Sequence, residues 1–565
     1  MPDGVASCVL LSDFNLGNLA GLLANDPTMP RVEVRTPPFG QMMAALLDEG
    51  HDCWSPRPDA LVVWTQPQSA LESFRAVLEL DAPPIDRLEE EVDRYCDGVR
   101  SASGRARMVL VPTWVVPAYH RGWGLLDLEP QGVAATLWRL NLRLADNLRD
   151  LGNVFVLNAQ SWIEAGGPAS FNPKFWYMGK IPFGPGVFKE AVGDVKTALA
   201  ALAGRSKKLL ILDLDDTLWG GIVGEVGGEG LRLGGHDPIG EAFVDFQRAV
   251  KSLQNRGIVL GIASKNTESV ALEAMSKHPE MVLRPDDFAG WRINWQDKAA
   301  NITDLVAELN LGLESAVFID DNPAERGRVA EALPEVLVPD WPDDRMLYKQ
   351  ALLSLRCFDG LTTSGEDKSR ARMYGSERAR QGERASAGSV IDWLRTLGLT
   401  VQVEPLSSAN LVRVTQLLNK TNQMNLSTRR MTHPELASWA DRDDHGAWAL
   451  RVADRFGDYG LTGIVSVEVN ESSVRIVDFV LSCRVFGRRI EDVMVHTAVQ
   501  HARSIGVDRV EAVYLPTAKN GPCLEFWQNA EFDVQPDGRT FIRETGREYP
   551  LPDFVEVNAC NAAVV

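Results

Sequence analysis

Short apolar runs alternate with helical periodicities along most of this chain. Ala60-Leu-Val-Val-Trp, Met108-Val-Leu-Val-Pro and Val154-Phe-Val-Leu predict buried strands, and the spacing over 88–99 and 132–151 predicts helices. This alternation predicts a doubly wound α/β domain over residues 1–180. A second series occupies 190–358, with strands predicted at 209–212, 257–264 and 316–319 and helices at 241–256 and 297–310. The third, 389–548, opens on the strand Leu399-Thr-Val-Gln-Val. Further on, the run 474–481 feeds a helix in which Ile490, Val493, Met494, Ala498, Ala502 and Ile505 recur at helical spacing until Gly506 stops it. Between the second and third pieces, 359–388 is rich in Ser, Glu and Arg and reads as a solvated helical connector; 549–565 reads as a tail.

Composition narrows the class. A chain of 565 residues with 45% hydrophobic content can bury several cores. It has no run of eighteen apolar residues, and its start, Met-Pro-Asp-Gly, lacks a basic n-region, so a soluble cytoplasmic protein without a membrane partner is expected. The Cys count of 7 is odd and has no C-x-x-C spacing, which supports neither a disulfide framework nor a thiolate zinc site, so free thiols are expected. A net charge of -19 argues against nucleic-acid binding. Any anionic substrate must therefore meet a local concentration of basic groups.

Several of the apolar runs end on reactive side chains. The run 209–212 is followed by Asp213, Asp215 and Thr217 at alternate positions, where α/β folds place their chemistry. Burying two carboxylates uncompensated costs several kcal/mol each, so a divalent cation is expected beside them; the plain alternative is an acidic strand end followed by a turn. The second run ends on Ser264, whose hydroxyl can donate to a phosphoryl oxygen. Lys298 opens a helix, where its ammonium can neutralise the same dianion, and the third run ends on Asp320 and Asp321, suited to hold Mg²⁺. Acid pair, hydroxyl, lysine, acid pair, each at an element end, resembles the haloacid dehalogenase (HAD) phosphohydrolase superfamily. The resemblance implies that Asp213 is the nucleophile and Asp215 the general acid and base. It also implies that Thr217, Ser264 and Lys298 bind phosphate, and that Asp320 and Asp321 hold Mg²⁺ together with Asp213 and Asp215. Only about 219–238 separates the first motif from the next helix, which leaves room for a minimal cap and admits a bulky or protein-tethered substrate.

The flanking pieces carry weaker motifs. Ser12-Asp13 sits where SGNH-type esterases have a nucleophilic serine after Gly-Asp, but the order is reversed and no Asp-x-x-His closes the piece, which reads as a docking or substrate-holding module. In the third piece, Arg484-x-x-Gly487-x-Arg489 resembles the pyrophosphate-binding turn of GNAT acyltransferases, with Arg489 where that family has a small residue. Cys483 stands at this junction beside Arg484, Arg488 and Arg489. It is either a nucleophile activated by a helix start and guanidiniums or a small core residue; Cys523 is a second candidate.

The set as a whole, with Leu418-Asn-Lys-Thr-Asn-Gln-Met-Asn and Asp458-Tyr-Gly, resembles the FkbH-like proteins of polyketide assembly over roughly residues 5–548. That resemblance implies an α/β multidomain protein: an SGNH/flavodoxin-like three-layer domain, a HAD Rossmann-like domain with minimal cap and a GNAT-like α+β domain. The implied activity is transfer of glyceryl from 1,3-bisphosphoglycerate, with loss of phosphate, to the phosphopantetheine thiol of an acyl carrier protein. Asp213 would dephosphorylate, Cys483 would hold the acyl group, and Arg484, Gly487, Arg488 and Arg489 would meet the carrier arm. Three alternatives stay open: a small-molecule HAD phosphatase with inert flanks, a carrier-binding protein with a dead acyl site, and a transferase of another hydroxyacyl unit.

Overall fold

The computed structural model describes residues 4–559 except 39, 82, 236, 362–388, 471 and 518. Most of the connector expected at 359–388 and the end of the expected tail lie outside the described residues. The chain forms two compact units, 1–203 with 431–436, and 204–430 with 437–565. Among the described residues no helix is long and apolar enough to cross a membrane.

The first unit is built on a parallel five-stranded sheet of β1 (Val5–Ser12), β2 (Arg31–Arg35), β3 (Ala60–Trp64), β4 (Met108–Pro112) and β5 (Val154–Leu157), in the order β2-β1-β3-β4-β5. β3 and β4 are buried along their whole length, as expected of strands covered on both faces. Trp64 stacks on Phe183 with ring centroids 5.0 Å apart and meets Phe188 edge-on. Phe188 belongs to the helix Pro185–Leu202, which lies wholly in the first unit, so this unit extends past the boundary expected at 180.

The second unit contains two sheets. The first is parallel, with β6 (Leu209–Leu212), β7 (Val259–Ser264), β8 (Gly290–Ile293) and β9 (Ala316–Ile319) in the order β8-β7-β6-β9. Alternate residues of β6 serve opposite cores: Leu209 and Ile211 pack with Ile302, Leu305 and Phe318, while Leu210 and Leu212 pack with Phe243, Phe246 and Ile319. Gly261 and Gly290 are register partners on β7 and β8. A Cβ on either would lie 2.9 or 2.7 Å from a methyl of Leu305, so this glycine pair forms the seat on which the helix Lys298–Glu308 rests.

The other sheet is mixed. It joins β10 (Leu399–Pro405), β11 (Met424–Asn425), β12 (His445–Asp454), β13 (Gly457–Val469), β14 (Val474–Leu481), β15 (Arg509–Val513), β16 (Asp533–Val534), β17 (Thr540–Glu544) and β18 (Val555–Ala559). The order is β16-β17-β15-β14-β13-β12-β10-β18, with β11 on β14. β18, from the segment expected to be a tail, pairs in parallel with β10. β14 and β15 run parallel but pair only over Val474–Ile476 of β14. Beyond that they part, and the gap is filled by the chain itself. Met424 and Asn425 pair with Leu481 and Val480, and on the other side Leu515 N–H donates to the Leu426 carbonyl at 3.0 Å. The helix Ile490–Ser504 supplies the crossover from β14 to β15.

Leu305 cannot turn from a methyl at 261 without pressing its other methyl on Gly290, so Gly261→Ala should lower unfolding free energy by about 1–3 kcal/mol. Denaturant unfolding of the chain measures it; an unchanged midpoint would contradict the tight seat.

Candidate active site

The carboxylate cluster forms where three strand ends of the parallel sheet converge. The Asp213 N–H donates to the Ile319 carbonyl at 3.0 Å, which continues the β6–β9 pairing by one residue and brings the carboxylate out at the sheet's carboxyl end. Asp216 takes a left-handed φ of 53°, and the chain turns back so that Leu218 N–H reaches the Leu214 carbonyl at 2.7 Å. Thr217 is buried, and its hydroxyl oxygen accepts the Asp321 N–H at 3.1 Å, tying the first strand end to the third. Ser264 ends β7 and is buried.

Lys298 is the first residue of its helix, with Asp297 capping the N–H groups of Ala299 and Ala300. Its ammonium lies 2.6 Å from Asp320 Oδ2 and 2.9 Å from Asp213 Oδ1, with side-chain exposures of 4%, 0% and 8% in the order Lys298, Asp320, Asp213. The 2.9 Å contact of Lys298 with Asp213 is a buried charge pair. Burial opposes the charge of Lys298, but Asp213 and Asp320 outweigh it and raise its pKa. Burial, then repulsion from Asp213, pushes Asp320 up to about 6 against the pull of Lys298. Asp321 is raised for the same two reasons; Arg345 lies 3.6 Å from it.

Asp213, Asp320 and Asp321 each offer an oxygen within 4.8 Å of the others. Three carboxylates facing the Lys298 ammonium and the Arg345 guanidinium leave net negative charge, and an all-oxygen donor set suits Mg²⁺. The residues present therefore fit the ion. Asp215, expected among the side-chain ligands, stands apart: its Oδ1 accepts from Trp219 Nε1 at 2.9 Å and Val223 N–H at 3.1 Å, and its Oδ2 from Asn266 Nδ2 at 2.8 Å. Burial outweighs these bonds and raises its pKa. Asn266, Trp219, Arg345 and Arg326, whose guanidinium donates to the Asp320 and Asp321 carbonyls, were not among the expected residues. Asn266 and Trp219 follow the ends of β7 and β6, Arg326 lies in the helix Pro323–Ala332 and Arg345 in a 3₁₀ turn further along the chain, and their roles depend on partners that folding supplies. The Ser-Lys-Asn run after β7 was the one visible signal.

The third-piece expectations need three corrections. Arg488 cannot meet a carrier: it is 2% exposed, stacks on Tyr459 at 4.5 Å and lies 3.6 Å from Asp454. Cys483 is not at a helix start, because a short 3₁₀ turn, Cys483–Val485, separates it from the helix that begins at Ile490. Cys523 is fully buried within the helix Gly521–Asn529, and burial pushes its thiol up to about 12, which disqualifies it as a nucleophile.

Cys483 is half-buried and lines a cavity of about 80 Å³ with Arg484 and Lys420. Gly487 and Arg489 sit on an exposed turn, both with left-handed φ, and Arg489 donates to Asp492 at 2.8 Å. The turn already holds a carboxyl of its own chain. Burial raises Glu491 to about 7, held back by the N–H groups of Glu491 and Gly487. In the first unit, Ser12 Oγ accepts the Phe14 N–H at 3.0 Å, and Asp13 accepts the Gln66 N–H at 3.0 Å.

No family model and no curated protein matches the chain. Among solved structures, the N-terminal part of the protein BF1531 from Bacteroides fragilis, containing a phosphatase domain complexed with Mg, is 30% identical. The match covers 63% of this chain and 95% of that one, with a TM-score of 0.56. A domain from Methanocaldococcus jannaschii (12% identical, 26% of this chain, 97% of that one, TM-score 0.22) also matches. So does spermidine N-acetyltransferase from Vibrio cholerae in complex with CoA and spermine (13%, 26%, 97%, 0.21). The chain is an α/β multidomain protein, and on the extent of its first match it belongs to the family of the phosphatase-domain protein BF1531.

Proposed function

We propose that this chain is a Mg²⁺-dependent phosphatase coupled to acyl transfer. It takes 1,3-bisphosphoglycerate, removes the 3-phosphate and delivers glyceryl to the phosphopantetheine thiol of an acyl carrier protein in polyketide biosynthesis. The phosphatase half is carried by one observation: Lys298 buried between Asp213 and Asp320, with Asp321 in the same cluster. The family relative's Mg-bound phosphatase domain supports it. The acyl half is supported by Cys483 facing a cavity with basic residues, in the same unit as the carboxylates.

In the phosphatase reaction, a carboxylate oxygen of Asp213 attacks phosphorus and the bond to the substrate oxygen breaks. Asp215 protonates that leaving oxygen, helped by its raised pKa. The ionised Asp215 then takes a proton from the water that hydrolyses the aspartyl-phosphate. Lys298, Thr217 and Ser264 hold the phosphoryl oxygens, and Asp213, Asp320 and Asp321 would hold Mg²⁺. When bound, the ion neutralises phosphoryl charge. In acyl capture, the Cys483 thiolate attacks the carbonyl of the acyl phosphate, the carbon–oxygen bond breaks and inorganic phosphate leaves. The thioester then exchanges with the carrier thiol, which conserves the activation of the acyl group.

Three outcomes are expected. Asp213→Asn should cut phosphate release roughly a thousandfold while the fold is kept, and chelation should abolish wild-type activity until Mg²⁺ is returned; turnover near wild type in either test contradicts the assignment. Activity should fall as pH rises through the elevated pKa of Asp215, because the acid form is consumed. Asn266→Ala removes a bond that favours the carboxylate, so that alkaline limb should move to higher pH; a downward shift in the pH–rate profile contradicts the role. With 1,3-bisphosphoglycerate, Asp213→Asn should accumulate a phosphoglyceryl adduct on the Cys483 peptide that hydroxylamine removes. Carrier loading by Cys483→Ala at the wild-type rate would leave direct attack by the carrier thiol as the mechanism.

A further inference from the structure

The cavity beside Cys483 lies at the opposite end of the parallel sheet from the carboxylates. Its lining includes Lys208, just before β6, Val259 at the start of β7 and Ser315, just before β9. Asp213, Ser264 and Asp320 stand at or just past the other ends of those strands. Lys208 and Asp213 are five residues apart along an extended strand, about 16 Å at the usual rise. The Lys208 side chain reaches further away, donating to the Lys420 carbonyl at 3.1 Å.

The charge lining this cavity runs against that of the chain. In a protein of net charge -19, four cationic residues, Lys208, Arg413, Lys420 and Arg484, are among the described residues that border the space; Arg484 also donates to the Ser482 hydroxyl at 3.1 Å and the Tyr459 carbonyl at 3.0 Å, and Arg413 to the Gln416 amide oxygen at 3.3 Å. Among the described lining residues the one acid is Glu314, which is paired with Lys519 at 3.0 Å. Thr421, Asn422 and Gln423, from the Asn-Lys-Thr-Asn-Gln run that leads into β11, add neutral hydrogen-bonding groups. Guanidinium and ammonium groups around a recess concentrate and hold phosphate.

We infer that this cavity is a second anion site, separate from the carboxylate cluster, which holds the phosphate of a small acyl donor beside Cys483 through Arg413, Lys208 and Arg484. The inference rests on the proposed acyl transfer for the identity of that donor, but the anion site itself does not. It also implies that a three-carbon phosphoacyl group attached to Cys483 lies out of reach of Asp213. Capture and dephosphorylation then act on the substrate in two separate visits.

Alkylation of Cys483 tests the site without any turnover. The full chain is treated with anionic iodoacetate or neutral iodoacetamide, and the Cys483 peptide is quantified by mass spectrometry. The iodoacetate-to-iodoacetamide rate ratio should exceed that of the same peptide in the denatured chain by about tenfold or more. Millimolar inorganic phosphate should slow both reagents. Arg413→Gln should lower the ratio and the phosphate protection, and Arg413→Lys should keep most of each, which separates lost charge from lost packing. A ratio equal to that of the denatured chain, absence of phosphate protection, or no reaction with either reagent overturns the anion site. Phosphate protection without acylation by any acyl phosphate leaves the anion site standing and the acyl-transfer reading refuted. Acylation of Cys483 with no anion preference does the reverse.

Discussion

A single buried ammonium, that of Lys298, makes the rest of the carboxylate cluster possible. Asp213, Asp320 and Asp321 converge within 4.8 Å, and without a cation among them their mutual repulsion and burial would favour protonation or separation. Removing one partner from a buried ion pair typically costs about 3–5 kcal/mol, because the other charge is stranded. Lys298 is held in place from behind. Leu305, seven residues further along the same helix and so on the same face, sits on the Gly261–Gly290 pair. Two missing side chains in the sheet thus fix the position of one charge at its rim.

The second unit places two contrasting clusters of side chains at the two ends of short strands. The carboxyl end gathers acids and one lysine; the amino end meets the helix Leu411–Lys420 and the turn at Cys483 across a cavity bordered by basic groups. β11 contributes to this arrangement. By filling the gap where β14 and β15 part, it closes the interior of the mixed sheet and leaves the residues before it, Lys420 to Gln423, on the cavity wall. The nearby turn at Gly487 already accommodates the Glu491 carboxyl, which disfavours a diphosphate at that position. Cys483 itself borders the cavity.

Strands buried on both faces were the most legible part of the sequence. Runs such as 60–64 and 209–212 coincide with β3 and β6 because a continuous apolar run of that length has few other folds. The carboxylates and hydroxyls were legible because they end or closely follow such runs, and Lys298 because it opens a helix. What sequence could not show depends on partners distant along the chain. Arg488 looks like a surface cation until Tyr459 and Asp454 close over it, and Asp215 looks like a metal ligand until Trp219 and Asn266 occupy its oxygens. β11, two residues long, is too short to carry a period, and β18 lacks the continuous apolar run of β3 or β6; they are strands because β14 and β10 offer edges to pair with. The cavity is assembled from segments around positions 208, 310, 413 and 483 and left no local pattern.

The central claim is that one chain removes phosphate and delivers an acyl group. The most direct test is the intact mass of an acyl carrier protein, bearing its phosphopantetheine, after incubation with this chain, Mg²⁺ and 1,3-bisphosphoglycerate. A carrier gaining one glyceryl unit without phosphate is the result predicted. A carrier of unchanged mass, in a reaction that nonetheless releases phosphate from the 3-position, would contradict the coupling and leave a phosphatase alone.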